Sequence, residues 1–123
     1  MKPIWIVDDD PSIRFVLEKA LAREQLPVRS FATTREVLAA LETDEPQVLV
    51  SDIRMPGEDG YSLIQRIRSQ SGASQGLPAV ALTGLAHPED RRRALTAGYQ
   101  SFVPKPVEVS ELANVIRRIA RKH

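Results

Sequence analysis

Three adjacent carboxylates, those of Asp8, Asp9 and Asp10, follow an apolar segment that ends at Val7. Two unit charges about 4 Å apart repel each other by about 4 kcal/mol at an effective dielectric constant near 20. A folded domain tolerates such a cluster when its side chains point to water or when a cation offsets the repulsion. The segment I-V-D-D-D-P-S-I-R at 6–14 is therefore a candidate cation-binding segment.

Polar side chains also follow three later apolar segments, at Asp52, Thr83 and Lys105. Ligands of doubly wound parallel sheets bind at the carboxyl ends of the strands. If these segments are parallel strands, their terminal side chains meet at one edge of the sheet. We therefore expect Asp8 and Asp9 to share a pocket with the other three residues.

The residue types at this edge indicate phosphoryl chemistry. Asp8, Asp9 and Asp52 offer only oxygen ligands, which suit Mg²⁺ or Mn²⁺ rather than zinc. The ammonium of Lys105 and the hydroxyl of Thr83 could hold phosphoryl oxygens beside the metal. Asp52 stands alone after a central strand, so we predict that it attacks phosphorus to form an acyl phosphate. The Asp8–Asp9 pair is better placed to hold the metal.

The elements that would position these residues alternate along the chain. Short apolar segments alternate with amphipathic helical segments, which predicts an α/β fold with a parallel sheet of five strands covered by five helices. The second strand is more polar than the others and is expected at an edge of the sheet. The predicted strands cover residues 3–7, 28–31, 48–51, 79–82 and 101–103.

Helix signals accompany the apolar spacing. Asp10 is the predicted N-cap of the first helix, with Pro11 at its first position. A second helix opens at Thr34, a third includes residues 63–67, and two more cover 89–97 and 109–121, with Gly98 stopping the fourth. Apolar spacing predicts an inward face of the first helix that is formed by Ile13, Val16, Leu17, Ala20 and Leu21.

Composition excludes several classes of protein. The chain has 123 residues, 17 basic and 16 acidic side chains, and no cysteine. This length suits one domain, and the balanced charge argues against a dedicated nucleic-acid-binding surface. The first residues lack the apolar core of a signal peptide, and no apolar run reaches the roughly 20 residues that span a bilayer. A cytoplasmic protein is expected, without a disulfide framework or thiolate metal site.

Several residues have a plainer structural interpretation. Asp10 is expected to act mainly as a helix cap, and Trp5 to lie in the core. The run Arg91-Arg92-Arg93 predicts a solvated helix face. His87 and His123 have no candidate metal or catalytic partner.

Four motifs occur in one order over almost the whole chain: I-V-D-D-D-P-S-I-R at 6–14, S-D-I-R-M-P-G-E-D-G at 51–60, A-L-T-G at 81–84 and P-K-P at 104–106. Together they resemble the receiver domain of two-component response regulators. The N-terminal half is most similar to receivers of nitrogen-regulatory activators, and the C-terminal half to receivers of hybrid sensor kinases. A natural divergent receiver and an engineered hybrid both fit this division. The resemblance implies one receiver domain over 1–123, with a flavodoxin-like fold and strand order 2-1-3-4-5.

The resemblance also implies a role for each matching residue. Asp52 matches the phosphoacceptor, and Thr83 and Lys105 match its catalytic partners. Thr83 and Phe102 match the switch pair, and Lys105-Pro106 matches a cis peptide. The implied metal ligands are Asp8 acting through water, Asp9, Asp52 and the backbone carbonyl of Arg54.

The function implied is signalling rather than metabolic catalysis. Such a domain accepts a phosphoryl group from a sensor histidine kinase in a Mg²⁺-dependent reaction, with Mn²⁺ as an alternative ion, and catalyses its own phosphorylation and dephosphorylation. Phosphorylation is expected to change the conformation of the face formed by helix 4, strand 5 and helix 5. That face would control an output domain or a partner protein, and transcription is the expected output. Homodimerisation on phosphorylation stays open, and no direct contact with nucleic acid or membrane is expected.

Three other functions match the sequence less well. A haloacid-dehalogenase-type hydrolase would place its nucleophile after the first strand, where Asp8-x-Asp10 is followed by Pro11-Ser12, a poor match. A pseudo-receiver that only docks a partner would not need the complete set of polar residues. A flavodoxin-like cofactor protein would need a phosphate-binding loop after the first strand, and the sequence has none there.

Overall fold

A computed structural model describes residues 2–55, 57–70, 73–84 and 88–120 of the chain. Within them, five parallel strands form one sheet in the order β2-β1-β3-β4-β5. The strands are β1 (Ile4–Val7), β2 (Val28–Phe31), β3 (Val48–Asp52), β4 (Ala79–Thr83) and β5 (Ser101–Pro104). The predicted fold class, the strand order and the edge position of β2 are confirmed, with strand ends shifted by one residue.

The helices lie on both faces of the sheet. They are α1 (Pro11–Arg23), α2 (Thr34–Ala40), α3 (Gly60–Ser69), α4 (Pro88–Ala97) and α5 (Val109–Ala120), with a 3₁₀ turn at Ala73–Gly76. Each helix follows one strand, and α1 to α4 return the chain to the start of the next strand, as parallel pairing requires. Every strand therefore presents its carboxyl end at the same edge of the sheet.

Side chains alternate between two cores because successive residues of a strand point to opposite faces. In β1, Ile4 and Ile6 pack in a core with residues of α1 and α5. Trp5 and Val7 point the other way, into a core shared with α2, α3 and α4. All four are buried. The predicted core position of Trp5 is confirmed, and β1 is fixed from both sides up to the residue before Asp8.

Local signals set the start of α1, at the carboxyl edge of the sheet, and the end of α4, where the chain returns to the start of β5. The Asp10 side chain accepts a hydrogen bond of 2.8 Å from the backbone N–H of Ser12, and Pro11 occupies the first turn. Gly98 stops α4 with φ of 132°, a backbone conformation that favours glycine. The prediction of both ends is confirmed.

Val16 does not face the core, and that prediction was wrong. Its side chain is 58% exposed, as is Phe15 at 59%, whereas Leu17 and Leu21 are buried. Successive helix residues point about 100° apart, and the orientation of α1 that buries Leu17 and Leu21 leaves Val16 outside the core. The stripe through Ile13, Leu17 and Leu21 packs inward and leaves Val16 at the edge of the helix.

Predictions for His87, His123 and residues 121–122 lie outside the described residues. In the part of the chain that is described, every helix is too short or too polar to cross a lipid bilayer.

The arginine run of α4 is exposed, as expected, but two of its guanidinium groups lie over aromatic rings: Arg91 over Phe102 at 4.5 Å and Arg93 over Tyr61 at 4.1 Å.

The contrast between two neighbouring residues of α1 gives a test of this packing. We expect Leu17→Ala to lower the free energy of unfolding by about 2–4 kcal/mol, because it opens a cavity in the α1–α5 core. Val16→Ala should change it by less than about 0.5 kcal/mol, because the side chain is exposed. Urea denaturation of both variants measures the difference, and equal losses would contradict the assigned helix orientation.

Candidate functional site

The carboxyl edge of the sheet brings together the polar residues that follow β1, β3, β4 and β5. Backbone pairing continues into these positions, since the Asp8 N–H donates to the Phe31 carbonyl at 3.1 Å and the Lys105 N–H to the Thr83 carbonyl at 2.7 Å. Asp52 is the last residue of β3, in register with Leu82 of β4. The side chains are therefore placed by the sheet itself rather than by flexible loops.

Asp8, Asp9 and Asp52 form one carboxylate cluster. One oxygen from each lies within 4.8 Å of an oxygen of the other two. Asp8 and Asp52 are buried, while Asp9 is exposed. At this separation each pair repels by about 3–4 kcal/mol at an effective dielectric constant near 20. The arrangement calls for positive charge.

Lys105 supplies one positive charge from β5's end. Its Nζ lies 3.0 Å from Oδ1 of Asp52 and 3.5 Å from Oδ2 of Asp8. Burial opposes its charge, but the hydrogen bond and charge of Asp52, together with the charge of Asp8, outweigh burial and raise the pKa of Lys105. The ammonium is therefore held charged, and among the described residues it is the cation that forms ion pairs with this cluster of three carboxylates.

The carboxylate of Asp8 is only half satisfied. Its Oδ1 accepts a 2.9 Å hydrogen bond from the backbone N–H of Asp10. Its Oδ2 is buried and makes no well-formed hydrogen bond in the described chain, although the Lys105 ammonium lies 3.5 Å away. Burial raises the pKa of Asp8; the Asp10 N–H lowers it, the charge of Asp52 raises it, Lys105 lowers it, and Asp9 adds a smaller rise. A buried carboxylate oxygen whose ammonium partner lies as far away as 3.5 Å is a position at which a further cation can bind.

The donor set fits a hard divalent ion. Every candidate ligand is an oxygen, and Mg²⁺ uses one or two carboxylates directly while it keeps several waters. The exposed Asp9 leaves the cluster open to solvent on one side, which allows such waters. The acidic cluster is thus compatible with the predicted Mg²⁺, or with Mn²⁺.

The other predicted residues lie on β4, on β5 and in the loop after β3. Thr83 is buried and lines a cavity with Arg54 and Arg93. Arg54 is exposed in the loop after β3, and the role of its carbonyl stays a prediction. Phe102 is half-buried on β5, under the guanidinium of Arg91. The Lys105-Pro106 peptide is cis, as predicted.

Two features near the site escaped sequence analysis. Arg14 donates a 2.6 Å hydrogen bond to the backbone carbonyl of Asp8, and nothing in its sequence position marks that contact. The second feature is an apolar groove between α1 and the segment after β5. It is lined by Ser12, Ile13, Val16, Leu17, Lys105, Pro106, Val107 and Val109. The first helix carries more apolar residues than one inward-facing stripe needs, and this surplus could have indicated the groove.

Comparisons with known proteins agree with this geometry. A family model described as a response regulator receiver domain matches residues 4–117. The DNA-binding transcriptional regulator NtrC of Proteus hauseri is 40% identical over 115 residues, which cover 94% of this chain and 24% of that protein. The chain therefore spans about a quarter of the length of this relative.

Two further matches cover most of both partners. An uncharacterized 14.6 kDa protein of Leptolyngbya boryana is 40% identical over 115 residues, which cover 94% of this chain and 87% of that protein. The signal receiver domain of a signal transduction histidine kinase from Syntrophus aciditrophicus superimposes with a TM-score of 0.89 at 29% identity, covering 99% of this chain and 92% of the other.

The strain within the carboxylate cluster can be measured without a metal. Because the pKa of Asp8 is raised in the folded state, protonation of Asp8 favours the folded state fully at pH values below its ordinary pKa near 3.8. This stabilisation is lost as the pH rises through the raised pKa. At pH 7, in chelator, Asp8→Asn should therefore raise the free energy of unfolding by about 1 kcal/mol, within the range of stabilising substitutions.

The matched control is Asp44→Asn, which removes an exposed carboxylate paired with Arg29 at 3.3 Å. That change should stay within about 0.5 kcal/mol of the unsubstituted protein. Urea denaturation at pH 7 compares the variants, and a loss of stability in Asp8→Asn would contradict the electrostatic description.

Proposed function

The chain belongs to the family of response regulator receiver domains, and from that premise we propose that Asp52 accepts a phosphoryl group from the phosphohistidine of a sensor histidine kinase. Receiver domains are signalling domains, and we propose that residues 1–123 form one of them. The observation that carries the proposal is the cluster of Asp8, Asp9 and Asp52 within 4.8 Å, with the Lys105 ammonium 3.0 Å from Asp52.

Asp8, Asp9 and Asp52 would hold Mg²⁺, with the carbonyl of Arg54 as a further ligand. The ion, when bound, neutralises charge on the transferred group and on the carboxylates around it. Lys105 would hold a phosphoryl oxygen through its ammonium, and the Thr83 hydroxyl would hold another. Asp9 is the more exposed of the acidic pair, and Asp8 would orient a metal-bound water from its buried position.

The transfer itself is a displacement at phosphorus. A carboxylate oxygen of Asp52 forms a bond to phosphorus while the bond from phosphorus to the partner's imidazole nitrogen breaks and leaves its electron pair on nitrogen. In dephosphorylation, a water attacks phosphorus in line, the bond to the Asp52 oxygen breaks, and the carboxylate and inorganic phosphate are released. The chain thus catalyses both steps on its own side chain.

Phosphorylation would shift a pre-existing equilibrium at the face of α4, β5 and α5. Thr83 would turn toward the phosphoryl group, and the Phe102 ring would follow. Phe102 has no hydroxyl, so the contact that must change is its cation–π interaction with Arg91, at 4.5 Å. This face would act on an output domain, and the NtrC relative supports a transcriptional one.

The kinase would dock on α1. The apolar groove that includes Val16 and Pro106 reaches Lys105, which also touches Asp52, so a domain seated there would present its phosphohistidine to the acceptor. Phe15 extends the exposed apolar surface beside Val16. Exposed apolar patches of this kind mark protein-binding sites.

The phosphoacceptor assignment is tested with acetyl phosphate and Mg²⁺. Asp52→Asn should lose all labelling, as read by intact-protein mass spectrometry, because no carboxylate remains to attack phosphorus. Asp10→Asn is the control, since asparagine caps a helix as well as aspartate and the cap should persist. Undiminished labelling of Asp52→Asn would defeat the proposal.

The docking surface is tested by comparing two phosphodonors. Val16→Asp should slow transfer from the phosphorylated kinase by at least about tenfold, a loss of about 1.4 kcal/mol, while labelling by acetyl phosphate stays unchanged. The kinase is identified beforehand by transfer profiling against the sensor kinases of the source organism. Leu95→Asp, at an exposed apolar residue of α4, is the matched control and should leave kinase transfer intact. Equal slowing with both donors would count against this surface.

A further inference from the structure

Tyr99 carries a buried hydroxyl that the proposed chemistry does not use. The residue follows Gly98 at the end of α4 and is 2% exposed. Its hydroxyl donates a 2.7 Å hydrogen bond to the carbonyl of Gly60, the first residue of α3. The bond therefore joins the chain before β5 to the end of the loop that follows Asp52.

That loop is closed at its base by direct backbone contact. The Gly60 N–H donates to the Ile53 carbonyl at 2.8 Å. A Cβ at Gly60 would lie 2.5 Å from the carbonyl oxygen of Asp52, so only glycine permits this approach. The chain thus leaves the sheet at Ile53 and returns at Gly60 to the same place, beside the phosphoacceptor.

A second buried hydroxyl lies under the same base. The Ser51 Oγ donates a 2.9 Å hydrogen bond to the Asp52 carbonyl. It also contacts the Tyr99 phenol. The two carbonyls at the base of the loop, those of Asp52 and Gly60, are thereby each bound by a side-chain hydroxyl from the core.

We propose that the Tyr99 hydroxyl positions the two ends of the segment between Ile53 and Gly60 for binding of the metal. By holding Gly60 against Asp52 and Ile53, it fixes both ends of the segment that carries the Arg54 carbonyl. The inference rests on the proposed function, because it assigns Tyr99 to the Mg²⁺ site of the phosphoacceptor.

Packing alone does not account for a tyrosine at this position. A phenylalanine ring would fill the same volume without a polar atom, and burying a hydroxyl is unfavourable unless it is hydrogen-bonded. Burial raises the pKa of Tyr99 well above its ordinary value, so the phenol stays a donor throughout the neutral range. The loop contact is therefore independent of pH there.

The test is Tyr99→Phe, which keeps the ring and removes the hydroxyl. Losing one buried hydrogen bond should weaken Mg²⁺ binding about three- to tenfold. The dissociation constant is read from amide NMR shifts during titration with MgCl₂. The rate of labelling by acetyl phosphate should recover to within about twofold of the unsubstituted protein at saturating Mg²⁺, because the reacting groups are unchanged.

Ser69→Ala is the matched control. It removes another hydroxyl that donates to a backbone carbonyl of α3, that of Arg66 at 2.9 Å, at the end of the helix away from the loop. This control should leave the Mg²⁺ dissociation constant unchanged.

An unchanged Mg²⁺ dissociation constant in Tyr99→Phe, with or without a lower melting temperature, would overturn the inference, as would equal weakening in Ser69→Ala. Absence of Mg²⁺ binding by the unsubstituted protein would overturn the proposed function and this inference with it. The two failures are thus distinguishable.

Discussion

The convergence of three carboxylates from two neighbouring strands on one pocket is the constraint on which the site depends. Each pair within 4.8 Å repels by about 3–4 kcal/mol, and Lys105 offsets only part of the total. In the described chain the buried Oδ2 of Asp8 makes no well-formed hydrogen bond, and the Lys105 ammonium lies 3.5 Å from it. A metal-free protein thus retains unfavourable electrostatic energy at this edge, which the proposed binding of a divalent cation, alone or with a phosphoryl group, would relieve.

The surrounding fold keeps that arrangement from relaxing. β1 and β3 pair along their lengths, and their side chains are packed on both faces, so Asp8 and Asp52 cannot swing apart without disrupting the core. The loop after Asp52 is closed by Gly60, which touches the Asp52 carbonyl. α4, in contrast, buries only Ala94 and otherwise contacts the sheet through side chains such as Arg91. The rigid part of the molecule therefore holds the proposed acceptor, and the loosely packed part is the face proposed to contact the output domain.

The sequence predicted the positions of those site residues that directly follow a strand. Asp52 and Lys105 each follow a short apolar strand, and parallel strands deliver such residues to one edge, so their meeting was predictable. Val16 was misplaced because α1 carries apolar residues on more than one stripe, and only packing decides which one faces the sheet. Tyr99 was missed because its partner is a backbone carbonyl 39 positions away, which no side-chain pattern reveals. Contacts between side chains and distant backbone groups depend on tertiary structure that local spacing does not encode.

Paramagnetic broadening by Mn²⁺ tests the central electrostatic claim most directly. Amide NMR signals of the unsubstituted protein are recorded during a titration with substoichiometric MnCl₂, followed by competition with MgCl₂. The account predicts that broadening is centred on the residues around Asp8, Asp9 and Asp52, and that Mg²⁺ restores the signals. Two results would contradict the account. One is broadening centred on another acidic segment, such as the exposed Glu108 and Glu111 at the start of α5. The other is the absence of any broadening that Mg²⁺ reverses.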